Sequence, residues 1–311
     1  MIITVQVDLD GLWVLKKALG TEGDPAEDTL YEIALRRALQ FFAKFGITAT
    51  FFVIGRDLEI GWKRSLLKDV LIKGHEIASH GFSHSYLTHC ASRHKTEEIW
   101  RSSEIIKREL GVSAQGFRAP GYAVDEETLE VIHEAGFVYD SSVLPTRWLW
   151  ALSLLQRMRS NEKSAGYTGG NWGNAPNRPY FHMLKQGSLP LLEIPVTVSP
   201  IGRLPIHFSY LEKYLSPGIF EFFIKKIATR EDFLNFVFHL IDFVDRTEDD
   251  RVNRLLCLSR DWKKKCALIE NVLTTITKRG RTVATRDAAE TIRACNTPCL
   301  REETHDVITS R

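Results

Sequence analysis

The stretch Gly46-Ile-Thr-Ala-Thr-Phe-Phe-Val-Ile-Gly55 predicts a strand that is buried on both faces. Apolar and β-branched residues fill positions 47–54 between the two glycines, without the alternation of a half-exposed strand. Runs of this kind are typical of parallel sheets, whose two faces are both covered. The sequence on either side should therefore supply helices and further parallel strands.

Strand and helix patterns alternate around this stretch. Residues 2–7 predict a first strand that ends at Asp8, and Thr29-Leu-Tyr-Glu32 is a capping-box pattern opening a helix that ends at Gly46. Beyond Gly55 the predicted elements are a helix up to residue 74, a strand at 76–79, a helix up to 111, a strand reaching 118, a helix capped by Asp125, a strand at 137–139, a helix at 267–279 and a strand at 282–285. Short connections between such elements predict parallel strands wrapped by helices, as a barrel or as an open doubly wound sheet.

Composition limits the class of protein. The chain has 311 residues, of which 44% are hydrophobic, enough for a substantial core. Its 41 Lys and Arg against 39 Asp and Glu give a net charge of +2, so we expect no nucleic-acid partner. The N-terminus lacks a secretory pattern, and five scattered cysteines suit a reducing compartment, so we expect a cytoplasmic protein. The sequence does not decide the oligomeric state.

The segment at residues 145–190 interrupts the alternation. It contains three tryptophans, and six basic residues against one acidic residue give it a local net charge of +5. We interpret it as an insertion over the site, inside a catalytic domain at residues 1–295 that is followed by a flexible tail at 296–311. The Trp-rich part, Thr146–Arg159, also motivates the hypothesis of peripheral membrane contact, with a helix covering the barrel as the alternative.

Two short motifs contain residues that can bind metal. Asp8 and Asp10 close the first predicted strand, and period-two alternation directs both side chains to one face. His80-Gly-Phe-Ser-His84 follows the third strand, and two imidazoles four residues apart on a helical turn can share a metal. Either motif alone is more often structural than functional.

The position of these motifs after predicted strands favours the functional interpretation over the structural one. Arg118 and His239 also follow predicted strands, as the two motifs do. In a parallel barrel, the loops after the strands gather at one mouth, where functional groups collect. Two histidines and one carboxylate leave open positions on a metal, as hydrolytic sites require.

Several stretches share their order and spacing with a known family: Ala49-Thr-Phe-Phe-Val-Ile-Gly55, Gly74-His-Glu-Ile-Ala-Ser-His-Gly-Phe-Ser-His84, Gly116-Phe-Arg-Ala-Pro120 and Lys278-Arg-Gly-Arg-Thr-Val-Ala-Thr285. On these stretches the chain resembles the polysaccharide deacetylases, the NodB-homology or carbohydrate esterase family four group, up to about residue 290. The resemblance implies a distorted (β/α)7 barrel and a metal-bound water that attacks an N-acyl carbonyl on an amino sugar.

The resemblance also implies roles for individual residues. Asp10, His80 and His84 would bind the metal, most commonly zinc, with cobalt, nickel or iron as alternatives. Asp8 would be the general base, Arg118 would orient it, and His239 would be the general acid. The substrate or oxyanion group would comprise a backbone N–H of Gly121 or Tyr122, together with Asp140, which resembles a position in a related branch.

Two departures from the family pattern stand out. Pro120-Gly-Tyr122 replaces the usual Pro-Tyr, which leaves the oxyanion donor open, and the Asp-Trp motif whose aspartate orients the catalytic histidine has no clean match. The leading hypothesis is hydrolysis of an N-acetyl or N-formyl group on a nucleotide-linked or lipid-linked sugar. The alternatives are hydrolysis of a non-sugar amide, such as a cyclic imide, and an inactive carbohydrate-binding relative.

Overall fold

The computed structural model describes residues 1–18, 23–148, 172–184, 190–245 and 261–295. Its strands are β1 (Ile2–Asp8), β2 (Thr50–Val53), β3 (Glu76–Ser79), β4 (Gly116–Phe117), β5 (Tyr139–Asp140), β6 (Tyr180–His182), β7 (Leu191–Glu193), β8 (Phe233–His239) and β9 (Arg281–Val283). Its helices are α1 (Leu12–Ala18), α2 (Thr29–Phe45), α3 (Gly61–Ile72), α4 (Ser92–Leu110), α5 (Glu126–Glu134), α6 (Phe208–Tyr214), α7 (Pro217–Arg230), α8 (Trp262–Thr277) and α9 (residues 285–295). The predicted alternation of strands and helices is confirmed.

The strands form one curved sheet in the order β6-β7-β5-β4-β3-β2-β1-β8. Every pairing along it is parallel except β6 with β7, so the insertion supplies an antiparallel edge strand. β9 pairs with the first half of β1, whose second half pairs with β2. The parallel order directs the ends of β1, β3, β4 and β8 toward one mouth.

The sheet curls into the predicted distorted barrel, and an irregular seam brings its two ends together. Pro195 follows β7 and has no N–H to continue the ladder. Thr197 N–H instead donates to Asn235 O at 3.3 Å, and the Asn235 side-chain amide donates to Ile194 O and Pro195 O at 3.3 and 3.2 Å. An isolated parallel bridge joins His207 to Val237 further along. The seam therefore depends on one asparagine side chain as well as on the backbone.

Aromatic packing fixes the helices to the outside of the sheet. The ring of Phe42 on α2 meets the rings of Phe51, Phe238 and Phe243 at centroid distances of 6.0, 6.2 and 6.0 Å. These contacts hold α2 against β2 and against β8, the strand that ends at His239.

The inside of the barrel contains a chain of polar side chains beside an apolar cluster that includes Phe52 and Leu192. Gln6 Nε2 donates to Thr285 Oγ1 at 3.1 Å, and Thr285 Oγ1 lies 2.7 Å from Thr50 Oγ1. Thr50 Oγ1 and Tyr139 OH then donate to the two carboxylate oxygens of Glu76 at 2.8 and 2.9 Å. These five residues form a buried chain of hydrogen bonds under the mouth.

The capping-box prediction at Thr29 was wrong. Helix α2 begins at Thr29, but the residue at its N-cap is Asp28, whose side chain makes no capping hydrogen bond. The Asp28 carboxylate instead accepts from Leu12 N–H and Lys63 Nζ. Asp28 therefore pairs with a lysine that is distant in sequence and does not cap the helix with its side chain.

Most of the Trp-rich insertion lies outside the described residues, so the membrane hypothesis for Thr146–Arg159 stays a prediction. The described Trp148 is half-exposed and donates to Gly202 O at 2.7 Å. No helix in the described ranges is long and apolar enough to cross a bilayer. The predicted tail at 296–311 also lies outside those ranges.

Candidate metal centre and active site

Three predicted ligands meet at the mouth of the barrel. Asp10 lies just past β1, and His80 and His84 follow β3. Asp10 Oδ1 lies 3.4 Å from His80 Nε2 and 3.2 Å from His84 Nε2, and the three donor atoms all lie within 4.8 Å of one another. Residues 70 positions apart in sequence thus converge on one point.

This set fits a divalent cation. Asp10 Oδ1 and His84 Nε2 are buried, and neither has a hydrogen-bond partner. A buried polar atom without a hydrogen-bond partner lowers the stability of the fold unless a ligand binds it. Two imidazoles and one carboxylate suit zinc and similar metals and leave coordination positions for water and substrate.

The tautomer of His80 also suits metal binding. Its Nδ1 lies 2.8 Å from Arg118 O. A carbonyl oxygen can only accept, so Nδ1 carries the hydrogen and the Nε2 lone pair is directed toward Asp10. Such a bond to the second ring nitrogen is typical of histidines that bind metal.

The charges of the three groups support one another. Burial alone would raise the pKa of Asp10, but His84 and His80 hold that pKa well below its usual value. Burial would lower the pKa of His80, but the nearby carboxylates of Asp10 and Asp8 raise it overall. Asp10 is therefore a carboxylate, ready to bind a cation.

The predicted helical turn between the two histidines was wrong. Residues 80–84 form a loop in which Gly81 (φ 74°) and His84 (φ 57°) both adopt the left-handed region. This loop, and not the spacing of a helix face, brings the second imidazole back to Asp10. A histidine in this region is strained and must be held by its surroundings.

Asp8 and Arg118 form a buried ion pair next to the metal ligands. Arg118 NH1 donates to Asp8 Oδ1 at 2.7 Å, and both side chains are almost fully buried. The same guanidinium donates to Gln6 Oε1 and to the carbonyl and hydroxyl of Ser141, both at 2.9 Å. Arg118 therefore fixes one oxygen of Asp8 and leaves Oδ2 toward the mouth.

His239 faces that second oxygen. Its Nε2 lies 3.8 Å from Asp8 Oδ2. Ser209 Oγ lies 2.7 Å from Asp242 Oδ1, to which it donates, and 3.3 Å from His239 Nδ1. The His239 side chain also forms a capping box with Asp242, whose backbone N–H donates to it. Asp242 Oδ2 also accepts from His239 N–H at 2.7 Å.

The sequence analysis did not predict that Ser209 and Asp242 contact His239. Asp242 stands three residues after His239 in sequence, and this spacing could have revealed it. Burial raises the pKa of Asp242, and the neighbouring charges of His239 and Lys265 offset part of that rise. Ser209 gave no sequence signal, because only the bridge at the barrel seam brings its segment beside β8.

Gly121 and Tyr122 lie in a tight turn after Arg118. Both adopt positive φ, at 60° and 58°. Tyr122 N–H donates to Ala119 O at 3.0 Å, so Gly121 is the better candidate for an oxyanion donor. A Cβ on Gly121 would lie 2.3 Å from Tyr86 Cε1, so the turn requires glycine.

Asp140 does not line the site, which revises its predicted place in the substrate group. Its side chain is fully buried and accepts from Ser142 N–H and Ser142 Oγ at 3.1 and 2.6 Å. It stands directly opposite Phe117, so it shares the face that packs on the helices. Ser142 Oγ in turn accepts from Ala119 N–H at 2.8 Å, so Asp140 supports the turn after Arg118 from behind.

Asp140 lies beside a second buried carboxyl, Glu193. Burial and the charge of Glu193 raise the pKa of Asp140 well above its usual value, and burial raises that of Glu193 to about 7. The Glu193 carboxylate accepts from Val143 N–H at 3.1 Å. A proton shared by this pair would relieve the repulsion between the carboxyls.

His207 is a further group that the sequence reading missed. Its ring centroid lies 5.7 Å from that of His239, and its Nδ1 accepts from Tyr210 N–H at 3.3 Å. Burial, with the charges of His239 and Arg118, lowers its pKa to about 3. A neutral imidazole with a donor at Nε2 therefore stands beside His239.

Part of this sequence matches known proteins. Residues 28–139 match the family model described as polysaccharide deacetylase. A peptidoglycan deacetylase of Helicobacter pylori is 27% identical over 148 residues, which are 46% of this chain and 50% of that protein. The chain thus spans half the length of that curated relative, and smaller shares of the next ones.

Solved structures share the fold. One is described as a probable polysaccharide deacetylase from Pseudomonas aeruginosa PAO1, with a TM-score of 0.62 and 15% identity over 94% of this chain and 91% of that one. The Puue allantoinase also has a TM-score of 0.62, with 14% identity over 94% and 90% of the two chains. At such identities the likeness establishes the architecture alone.

Proposed function

We propose that the chain is a metal-dependent hydrolase that removes an N-acyl group from an amino sugar, on the premise that residues 28–139 match the polysaccharide deacetylase family model. The observation that carries the proposal is the convergence of Asp10, His80 and His84 within 4.8 Å, with the buried atoms Asp10 Oδ1 and His84 Nε2 lacking partners.

The donor set favours zinc, with cobalt, nickel or iron as alternatives. A divalent cation bound by the three side chains supplies Lewis acidity, which polarises the acyl oxygen and makes water more acidic. The chain's own residues carry out the remaining steps.

Asp8 is the general base of this proposal. Its Oδ1 is occupied by Arg118, so Oδ2 accepts the proton of the water that attacks the acyl carbon. Arg118 also prevents Asp8 from turning, because the same guanidinium is anchored to Ser141.

His239 is the general acid. When protonated, its Nε2 can give a proton to the departing amine, 3.8 Å from the carboxylate oxygen that received one from water. Ser209 and Asp242 hold Nδ1 and fix the ring plane. Gly121 N–H lies in the turn beside Arg118 and is the proposed backbone donor to the oxyanion.

The test is reconstitution of activity. The purified chain is stripped with a chelator and reloaded with Zn²⁺, Co²⁺, Ni²⁺ or Fe²⁺, and acetate or formate release is measured from N-acetylated and N-formylated amino sugars. Free, nucleotide-linked and lipid-linked sugars, a chitin oligomer and a peptidoglycan fragment make up the panel. We expect release from at least one sugar with at least one metal.

Two variants separate metal binding from chemistry. Asp8→Asn should lose most of the activity and still bind zinc, whereas His84→Ala should lose both. Allantoin and a cyclic imide belong in the same panel as non-sugar amides. Release from these amides alone, or from no compound with any metal, would contradict an amino-sugar deacylase.

A further inference from the structure

Two loops carry the three proposed metal ligands, and a buried carboxylate holds each loop from behind. We call residues 80–84 the histidine loop and residues 10–13, which include the first residues of α1, the aspartate loop. Neither of these carboxylates is among the three ligands. One lies on α4 and the other at the N-cap of α2, both outside the barrel mouth.

Glu98 of α4 holds the histidine loop. Its Oε2 accepts from Phe82 N–H at 3.2 Å and Ser83 N–H at 2.8 Å, and its Oε1 accepts from Ser83 Oγ at 2.6 Å. The side chain is 4% exposed, so these bonds are shielded from water. One carboxylate thus fixes two consecutive peptide groups between His80 and His84.

Asp28 holds the aspartate loop. Its Oδ2 accepts from Leu12 N–H at 3.0 Å and from Lys63 Nζ at 2.9 Å. The same ammonium lies 2.7 Å from Asp57 Oδ1, which also accepts from Trp13 Nε1 at 2.9 Å. The side chains of Lys63 and both aspartates are fully buried.

Such an arrangement is a poor way to stabilise a fold. One lysine faces two carboxylates, and taking three charges out of water costs more than a solvated pair would. Asp28 Oδ1 and Asp57 Oδ2 are also buried without a hydrogen-bond partner. What the cluster does achieve is a fixed backbone path from Asp10 into α1.

Both loops need an external constraint. His84 has φ 57° and Gly81 has φ 74°, so the histidine loop holds a backbone shape that its residues rarely adopt. In the aspartate loop, a Cβ on Gly11 would lie 2.0 Å from Asp28 Oδ2, because the carboxylate lies directly against the chain after Asp10. Strained geometry persists only where the surroundings determine it.

We propose that Glu98 and Asp28 are positioning residues that hold the two loops in the metal-binding geometry, so that metal affinity depends on carboxylates that do not touch the metal. The inference rests on the metal site of the proposed function. It goes further by assigning the affinity partly to residues outside the ligand set.

The experiment compares Glu98 with its neighbour on the same helix. Glu98→Gln keeps the shape, Glu98→Ala removes every acceptor, and Glu97→Gln changes an exposed carboxylate next in sequence. Zinc affinity of the metal-free chain is measured by competition with a chromophoric chelator. Loss of outer support typically weakens metal binding by about 10- to 100-fold, so we expect this for Glu98→Ala, a smaller loss for Glu98→Gln and none for Glu97→Gln.

Asp28 supplies a second, independent arm. Asp28→Asn keeps an oxygen for Leu12 N–H and removes the charge that holds Lys63, whereas Asp24→Asn changes a nearby exposed cap. We expect a several-fold loss of zinc affinity for Asp28→Asn only. Because Co²⁺ absorption reports ligand geometry, the visible spectra of the Co²⁺-loaded Glu98 and Asp28 variants should also differ from wild type.

Thermal unfolding of the metal-free proteins separates positioning from stability. A lower melting temperature with wild-type zinc affinity and a wild-type cobalt spectrum would overturn the inference, as would equal losses in the control variants. If the wild type deacylates a sugar and the variants keep wild-type zinc affinity, the inference is wrong and the proposed function stands. If the variants bind zinc more weakly but the wild type hydrolyses no substrate, the inference stands and the proposed function is wrong.

Discussion

Replacing Arg118 with methionine should destabilise the chain far more than its one ion pair suggests. Methionine keeps the packing on Phe52, whose ring centroid lies 4.3 Å from the guanidinium carbon. It leaves the buried Asp8 carboxylate and Ser141 O without the guanidinium, and it leaves Gln6 Oε1 with the Ser141 hydroxyl at 3.2 Å. Breaking a buried pair from one side costs about 3–5 kcal/mol, a large part of a total stability of about 5–15 kcal/mol.

A double-mutant cycle isolates the reason. Asp8→Asn alone should also cost about 3–5 kcal/mol, because it leaves the guanidinium unpaired. The double variant should be more stable than the sum of the single losses predicts, by about 2–3 kcal/mol, since neither charge remains. The assay is urea unfolding of the metal-free protein, with chelator present in every sample.

An exposed pair of similar geometry serves as the control. Arg36 Nε lies 2.8 Å from Glu32 Oε1, with both side chains more than half exposed. The cycle Arg36→Met with Glu32→Gln should give a coupling of about 0.3–0.5 kcal/mol. If the Asp8–Arg118 cycle is additive within about 0.5 kcal/mol, burial does not set the strength of this pair and our reading of it is wrong.

Three further predictions follow from the same structure. Ser209→Ala should lower kcat by roughly 10- to 100-fold, within the share that a general acid supplies, and leave zinc affinity unchanged in the chelator competition; an unchanged kcat would remove Ser209 from the support of His239. The pKa of Glu193 is raised from 4.5 to about 7 in the folded state, so its contribution to stability is full below pH 4.5 and is lost as pH rises through about 7. Urea unfolding of wild type should show this loss, on the order of 2–3 kcal/mol, and Glu193→Gln should flatten it; parallel curves would refute the assignment. Gly121→Ala should cost roughly 1–3 kcal/mol and lower kcat, because its Cβ meets Tyr86 at a positive φ; wild-type unfolding and turnover would show that the turn tolerates a side chain.

The sequence predicted the parts of the fold that depend on local pattern. β1 ends at Asp8 and β8 ends at His239, as the apolar runs indicate, and Asp125 caps α5 by accepting from Thr128 N–H. The convergence of Asp10, His80 and His84 also followed from strand order, since parallel strands end at the same mouth.

The rest depended on partners that are distant in sequence. The helical turn expected between His80 and His84 is replaced by a loop, in which the N–H groups of Phe82 and Ser83 donate to the distant Glu98. Asp140 was placed in the substrate group by resemblance to a related branch, but its register opposite Phe117 turns it toward the helices. Ser209 reaches His239 only through the barrel seam, which periodicity does not reveal.

The interior of the barrel has a consequence for protein engineering. In most parallel barrels, branched aliphatic residues fill the centre and can be exchanged for others of similar volume. Here Gln6 hydrogen-bonds both to Arg118 and, through Thr285 and Thr50, toward Glu76. A single apolar substitution along this chain would leave a polar neighbour without its hydrogen-bond partner. A redesign must therefore exchange all the residues of this hydrogen-bonded chain at once.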